Sequence, residues 1–315
     1  MRIFVTGGSG FIGSAIIKRL VEDGHDVDGL VHTASRASVV EKTGAKVVTG
    51  DLLEAGAWTS VLSEADLVIS ASQPVRQGEH IPLDAARRRS FYHGKMVGNL
   101  FLAAAGAGVK GVAVTYGVNG FRDRGNEWVT ENSELDPSGY ERAVSGAYWH
   151  IDKTSKKARI PLLNIFTGWV YGPGGWFATM ARSIKNGSMR VVGDGNNFMS
   201  LIHIDDLTAA YSAIARKMPF GDRYALVDGS PVTQREFIDC MATTLGVKAP
   251  KNIDIATYTS LAGDLAAESM TCSCRVSGAR MKKYLLPELK YPSIATGVPQ
   301  AIEALGISRN EERAA

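Results

Sequence analysis

The chain has little cysteine, little histidine and no long apolar run. Its three cysteines are an odd number, and Cys272 and Cys274 stand too close together to suggest a disulfide framework. No histidine cluster accompanies them at zinc spacing, so they read as free thiols of a reducing compartment with no metal. No stretch is apolar for long enough to cross a bilayer. The first apolar residues run straight into glycines, unlike a secretory leader, so a soluble, cytoplasmic protein is expected. Charge is nearly balanced, 35 Lys and Arg against 32 Asp and Glu, and points to neither a nucleic-acid nor a membrane partner. Internal repeats and low-complexity segments are missing as well.

What is present suits an α/β domain carrying a smaller lobe: 315 residues, 45% hydrophobic and 21% charged. Short β-branched runs at 3–6, 27–31, 45–48, 67–70 and 111–115 read as strands. Between them, 13–23 reads as a helix with Ile16, Ile17, Leu20 and Val21 on one face, followed by helices at 35–43 and 89–107. Such alternation implies a parallel sheet with helices on both faces. Further on, 143–158 is predicted helical, 162–166 a strand, 202–215 a strand followed by a helix, and 224–227 a strand. Residues 172–197, rich in glycine and aromatics, read as a substrate-facing excursion; the chain from 231 is helical with loops, and the tail 308–315 is expected to fray. The expected division is a dinucleotide-binding domain over 1–170, rejoined by 200–230, and a substrate-binding lobe from 171–199 and 231–308.

The turn Thr6-Gly7-Gly8-Ser9-Gly10-Phe11-Ile12-Gly13 lies between the first strand and the first helix. Residues without a Cβ let a backbone approach a pyrophosphate and aim helix N–H groups at it. A dinucleotide held by Gly7, Ser9, Gly10, Phe11, Ile12 and Gly13 is therefore expected. The second strand ends Val31-His32-Thr33-Ala34-Ser35-Arg36, with no acid at its tip and Asp28 inside it. His32, Ser35 and Arg36 offer donors and positive charge for a 2′-phosphate, so NADP(H) is expected ahead of NAD(H). The bland alternative for Arg36 is a solvated residue at a helix start.

This turn resembles the TGxxGxxG motif of the short-chain dehydrogenase/reductase superfamily, with Gly7, Gly10 and Gly13 in its glycine positions. Gly50-Asp51-Leu52 resembles that family's acidic segment beside the adenine, which makes Asp51, Leu52 and Ala71 cofactor candidates. Val170-Tyr171-Gly172-Pro173-Gly174, Gly193-Asp194-Gly195 and His203-Ile204-Asp205-Asp206 resemble segments of the extended, NAD-dependent epimerase/dehydratase-like branch. That branch includes nucleotide-sugar epimerases and dehydratases and also ketone and aldehyde reductases. The resemblance runs from residue 1 to about residue 305. It implies a Rossmann doubly wound parallel sheet with a small C-terminal substrate lobe, and pairing of two copies through the helices near 89–107 and 143–158. His203, Asp205 and Asp206 read as architecture, a strand-end histidine beside a helix-capping aspartate.

The resemblance also implies a Ser or Thr at the end of the fifth strand, and a Tyr with a Lys four residues later. Acid–base catalysis is the reason: a phenol with a free pKa near 10 is lowered by a cation one helical turn away. Thr115 fits the hydroxyl role and Tyr140 resembles the family tyrosine, but Val144 stands in the lysine position. Tyr148 has Asp152 four residues on. Lys153 lies five residues from Tyr148 and thirteen from Tyr140, which at about 100° per residue puts it off both faces. Three assignments are compatible with this. Tyr140 acts with the cofactor or another cation such as Arg142; Tyr148 or His150 takes over the proton; or the site only binds dinucleotide, with Tyr140 packing under the lobe.

In nucleotide-sugar members, Arg and Asn residues hold the sugar diphosphate; those positions here look like Phe166, Trp169 and Met199. A diphosphate buried against them would be desolvated without compensation, which argues against a nucleotide sugar. Trp169, Trp176, Phe177 and Met199, with Phe198, suggest an apolar substrate pocket, although each is also explicable as core. Arg87-Arg88-Arg89 reads as a solvated helix start or an anion contact. The expected activity is an NADP(H)-dependent oxidoreductase acting on a carbonyl or related group of a small, fairly apolar molecule. A non-catalytic dinucleotide sensor or scaffold and a nucleotide-sugar epimerase or dehydratase are the alternatives.

Overall fold

The computed structural model describes residues 1–74, 81–121 and 123–307, with Trp149 described by its backbone alone. The end of the predicted lobe at 308 and the predicted frayed tail 308–315 lie outside the described residues. Seven strands form one sheet: β1 (Arg2–Thr6), β2 (Asp26–Val31), β3 (Lys46–Thr49), β4 (Leu67–Ser70), β5 (Gly111–Gly117), β6 (Leu162–Thr167) and β7 (Arg223–Leu226). Their spatial order is β7-β6-β5-β4-β1-β2-β3. Every neighbouring pair is parallel, so each connection crosses over through helix or loop. The strand order reverses beside β1, where the glycine-rich turn emerges; open α/β sheets bind ligands at such a point, outside the carboxyl ends of the strands.

The principal helices are α1 (Phe11–Glu22), α2 (Leu83–Ala107), α3 (Gly146–Ala158), α4 (Gly175–Lys185), α5 (Ile204–Lys217), α6 (Gln234–Leu245), α7 (Asp264–Thr271) and α8 (Ile294–Ala304). Among the described residues, no helix is long and apolar enough to cross a membrane. Alternation along the strands divides the core in two. Val112, Val114 and Tyr116 pack with Val97, Leu100 and Phe101 of α2 and Ala147 and Ile151 of α3. Ala113, Leu163 and Ile165 face the opposite way, with Ile16 and Leu20 of α1 and Leu207 and Tyr211 of α5. A third cluster built on Tyr171, Phe177, Phe237 and Val298 fills the C-terminal lobe.

α2 begins at Leu83, six residues before its expected start, and the helix expected at 35–43 is a 3-10 turn, Ala34–Arg36, followed by a short helix, Ala37–Glu41. Three further departures shape the carboxyl ends of the strands. Residues 172–197 contain a full helix, α4. β5 runs two residues past its expected end, to Gly117. α3 begins at Gly146 rather than 143, because Gly139–Ala143 is a tight 3-10 turn tied to α7. That displacement decides the site.

Candidate active site

The turn after β1 is shaped by contacts that leave no room for side chains. Gly7 has φ +72°, and a Cβ there would stand 2.7 Å from the Ala71 carbonyl oxygen, so β1 and the segment after β4 meet backbone to backbone. Thr6 ties them together: its Oγ1 accepts from the amides of Ala71 and Ser72, at 3.2 and 3.3 Å. Gly10 caps α1 with no side-chain hydrogen bond, and the first turn of α1 holds no acid. Its N–H groups and dipole are left for an anion. Phe11 and Ile12 rest against the sheet core, and the Phe11 ring lies 2.7 Å from where a Gly174 Cβ would be. The turn therefore fits a pyrophosphate.

The outer half of the cleft is polar. His32 Nε2 lies 3.4 Å from Asp51 Oδ2, and both side chains are substantially exposed. Arg36 donates to the Ser9 carbonyl at 3.2 Å, while Ser35 bonds Thr33 at 3.2 Å. Asp28 is buried and paired with Arg2 at 2.7 Å. The Leu52 side chain is core, and its carbonyl accepts from Asn99 at 2.8 Å. Arg89 donates to the Pro74 carbonyl at 2.7 Å.

The three hydroxyls singled out for catalysis do not converge. Thr115 points to the α1/α5 face, where its Oγ1 meets the Tyr211 hydroxyl at 2.5 Å, buried. Tyr116 and Tyr148 occupy the other face, with ring centroids 4.4 Å apart. Thr115 and Tyr148 are thus on opposite sides of one sheet, a consequence of the two-residue repeat of a strand. Thr115→Val is expected to cost about 2 kcal/mol, because it orphans the Tyr211 hydroxyl, and to change turnover less than about threefold. A melting curve beside an assay checks both.

Tyr140 sits in the 3-10 turn, its amide donating to Ser269 Oγ at 3.0 Å, while Gly139 and Arg142 both bond Glu268, at 2.9 and 2.6 Å. It packs against Ile81, Ala86, Ala143 and Leu265. Val144, in the lysine position, is 2% exposed. Tyr148 projects from α3, its hydroxyl bonded to Glu141, whose other oxygen accepts from the Gly117 amide at 3.1 Å. Sequence reasoning passed over Glu141 and Gly117. The one signal for either was that β5 could extend to a glycine.

The expected apolar pocket is largely core. Phe177 and Met199 are buried in the lobe cluster, and Trp169 and Trp176 pack on it with centroids 5.4 Å apart, Trp176 donating to the Val170 carbonyl at 2.7 Å. Phe166 is buried with Phe121 and Tyr116. Their apolarity follows from packing and says nothing about the substrate, so it does not exclude a nucleotide sugar. Among the described residues, no three His, Cys, Asp or Glu side chains come together as metal ligands.

The model of the NAD dependent epimerase/dehydratase family matches residues 3–226. The chain belongs to that family. This member is 24% identical over 308 residues to a 3-diazoavenalumate denitrifying reductase of a Streptomyces species, covering 95% of this chain and 99% of the other. Its fold is similar to that of a dTDP-glucose 4,6-dehydratase double mutant from Streptomyces venezuelae with NAD and DAU bound, with a TM-score of 0.82 at 18% identity, covering 96% of each chain. It is also similar to UDP-glucuronic acid 4-epimerase from Bacillus cereus in complex with UDP-glucuronic acid and NAD, with a TM-score of 0.79 at 16% identity, covering 97% and 99%.

These findings correct two expectations about this family member. NADP(H) specificity is not upheld, since both of those structures carry NAD; NAD(H) stands at least level with it. The physical reason lies in Asp51, whose carboxylate sits against His32 and puts negative charge beside a donor expected to meet a 2′-phosphate. A small, fairly apolar substrate is not upheld either: one of those structures holds a UDP-sugar, and the residues that suggested an apolar pocket are core.

Proposed function

We propose that this chain is an NAD(H)-dependent oxidoreductase of the epimerase/dehydratase kind, acting at a carbonyl group or its carbinol in a nucleotide sugar or a related carbonyl substrate. The observation that carries the reading is the glycine-rich turn from Gly7 to Gly13, packed backbone to backbone on Ala71, with the uncapped N-terminus of α1 following the carboxyl end of β1. Gly10, Phe11, Ile12 and Gly13 would hold the pyrophosphate, Ser9 and Ala71 would border it, and Asp51 with His32 would meet the adenosine end. The bound dinucleotide supplies hydride chemistry. Residues 171–199 and the chain after 231 would form the substrate side. Among the tyrosines, Tyr148 lies near the end of β5, whereas Tyr140 is held against α7.

Fluorescence titration with NADH and NADPH, followed by assays against UDP-sugars and a panel of carbonyl compounds, tests this. NADH should bind no more weakly than NADPH, and at least one substrate should turn over. Absence of dinucleotide binding, or binding with no turnover on any of them, would sink the reading. Asp51→Asn should raise NADPH affinity relative to NADH by about 5–10-fold, because removing one nearby anion is worth roughly 1 kcal/mol at a partly exposed site. Titration of the variant with both cofactors measures that ratio.

A further inference from the structure

The end of β5 carries a carboxyl group in place of a hydroxyl. Gly117 is the last residue of β5, and a Cβ there would run into Glu141 Oε1, with the carboxyl carbon only 3.0 Å away. The absent side chain is what admits the carboxylate. Glu141 Oε1 accepts from the Gly117 amide at 3.1 Å and Oε2 is bonded to the Tyr148 hydroxyl. One oxygen is therefore claimed by a fixed donor, and the proton, when present, belongs on Oε2. Glu141 is only partly buried, whereas Tyr148 is 7% exposed and enclosed by Tyr116 and Phe166. Of the two residues, Glu141 is the less enclosed, and it stands at the strand ends, outside which ligands of open α/β sheets bind.

We infer that Glu141 is the general acid–base of this site, exchanging a proton with the substrate oxygen, and that Tyr148 and the Gly117 amide are its positioning groups. The inference rests on the dinucleotide-linked carbonyl chemistry proposed above. In the reducing direction, Glu141 gives the proton on Oε2 to the substrate oxygen as a hydride, with its two electrons, passes from the reduced dinucleotide to the carbon. The C=O bond becomes H–C–OH, the dinucleotide leaves oxidised, and the Glu141 carboxylate, then accepting from Tyr148, is reprotonated by water. Oxidation runs the same steps backwards.

The neighbours leave Glu141 as the group that changes charge near neutrality. Burial pushes its carboxyl up to about 7, against the lowering effect of the bonds from Tyr148 and Gly117. Burial also drives the Tyr148 and Tyr116 phenols well above their ordinary range, so both stay protonated. His93 of α2, edge-on to Tyr116, is pushed down to about 4 by burial and stays neutral. Arg142 is bonded to Glu268 at 2.6 Å, and Asp152 behind Tyr116 lies 3.7 Å from Arg223. A general acid or base is most effective with a pKa near the working pH.

Two measurements test this, one without turnover. Carbon-13 NMR of glutamate-labelled protein without cofactor should show one carboxyl titrating near pH 7, missing in Glu141→Gln. A Glu141 carboxyl titrating between about 4 and 5 overturns the inference. With a substrate found for the wild type, Glu141→Gln should lower kcat about 10²–10³-fold with NADH affinity and near-ultraviolet dichroism unchanged. The fall in reductive rate above pH 7, where the acid form is lost, should vanish with it. Tyr148→Phe should lose less and move that fall to higher pH, since a bond favouring the carboxylate is gone. A Glu141→Gln enzyme within threefold of wild type overturns the inference and leaves the preceding function standing. A wild type that binds dinucleotide and turns nothing over overturns both.

Discussion

Gly13→Val is expected to weaken dinucleotide binding by about 100-fold or more, close to 3 kcal/mol. A Cβ at Gly13 would run into the Gly7 carbonyl oxygen, with the Gly7 carbonyl carbon at 2.8 Å. Those atoms are backbone, and Gly7 is itself pinned by its left-handed φ and by Ala71, so the strain cannot be relieved by turning a side chain. The turn must open, and the α1 amides then no longer point to one place. Titration with NADH measures the loss, and thermal melting separates it from unfolding. An unchanged Kd in a folded variant would show that the turn does not hold the cofactor. Gly10→Ala is the milder control, since its Cβ would meet only the Gly7 oxygen, at 3.3 Å.

Gly146→Val is expected to destabilise the fold by about 4 kcal/mol and to lower Tm by roughly 10 °C. α2 and α3 approach backbone to backbone where Gly94 meets Gly146. A Cβ on Gly146 would run into the Ser90 carbonyl oxygen, with the Ser90 carbonyl carbon at 2.6 Å and the Gly94 nitrogen at 3.2 Å. Separating the helices would unpack Ala147 and Ile151 from the sheet and shift Tyr148, so activity should fall with stability. Gly98, on α2, supplies the contrast. Nothing lies within 4 Å of its Cβ position, so Gly98→Ala should stabilise by about 0.5–1 kcal/mol through helix propensity alone. A Gly146→Val protein melting within about 2 °C of wild type would contradict the close crossing.

The strands β1 to β4 and the helix α1 were legible because their signals are local. β-branched runs, turn glycines and a 3.6-residue apolar stripe depend only on neighbours in the chain. The tight glycine turn between β1 and α1 was legible for the same reason. The cofactor preference was not. The contact of His32 with Asp51 was hidden too: they are nineteen residues apart in sequence and meet only when β2 and β3 pair.

Catalytic candidates chosen by spacing are not brought together by the fold. Thr115 stands where a hydroxyl is wanted along the chain, but strand alternation turns it toward Tyr211. Tyr140 holds the right place in the sequence, yet Glu268 and Ser269, more than a hundred residues on, capture its turn and delay the start of α3 until Gly146.

The sequence by itself determined a doubly wound parallel sheet and a glycine-rich turn between its first strand and helix, because both are written in local periodicity and in glycines at fixed offsets. Only the tertiary structure decided which acid–base groups share the mouth of the sheet. Glu141 reaches the end of β5 because α7 pulls residues 139–143 into a tight turn and Gly117 leaves the space open. Contacts between residues so far apart in the chain follow from packing, and no spacing rule records them.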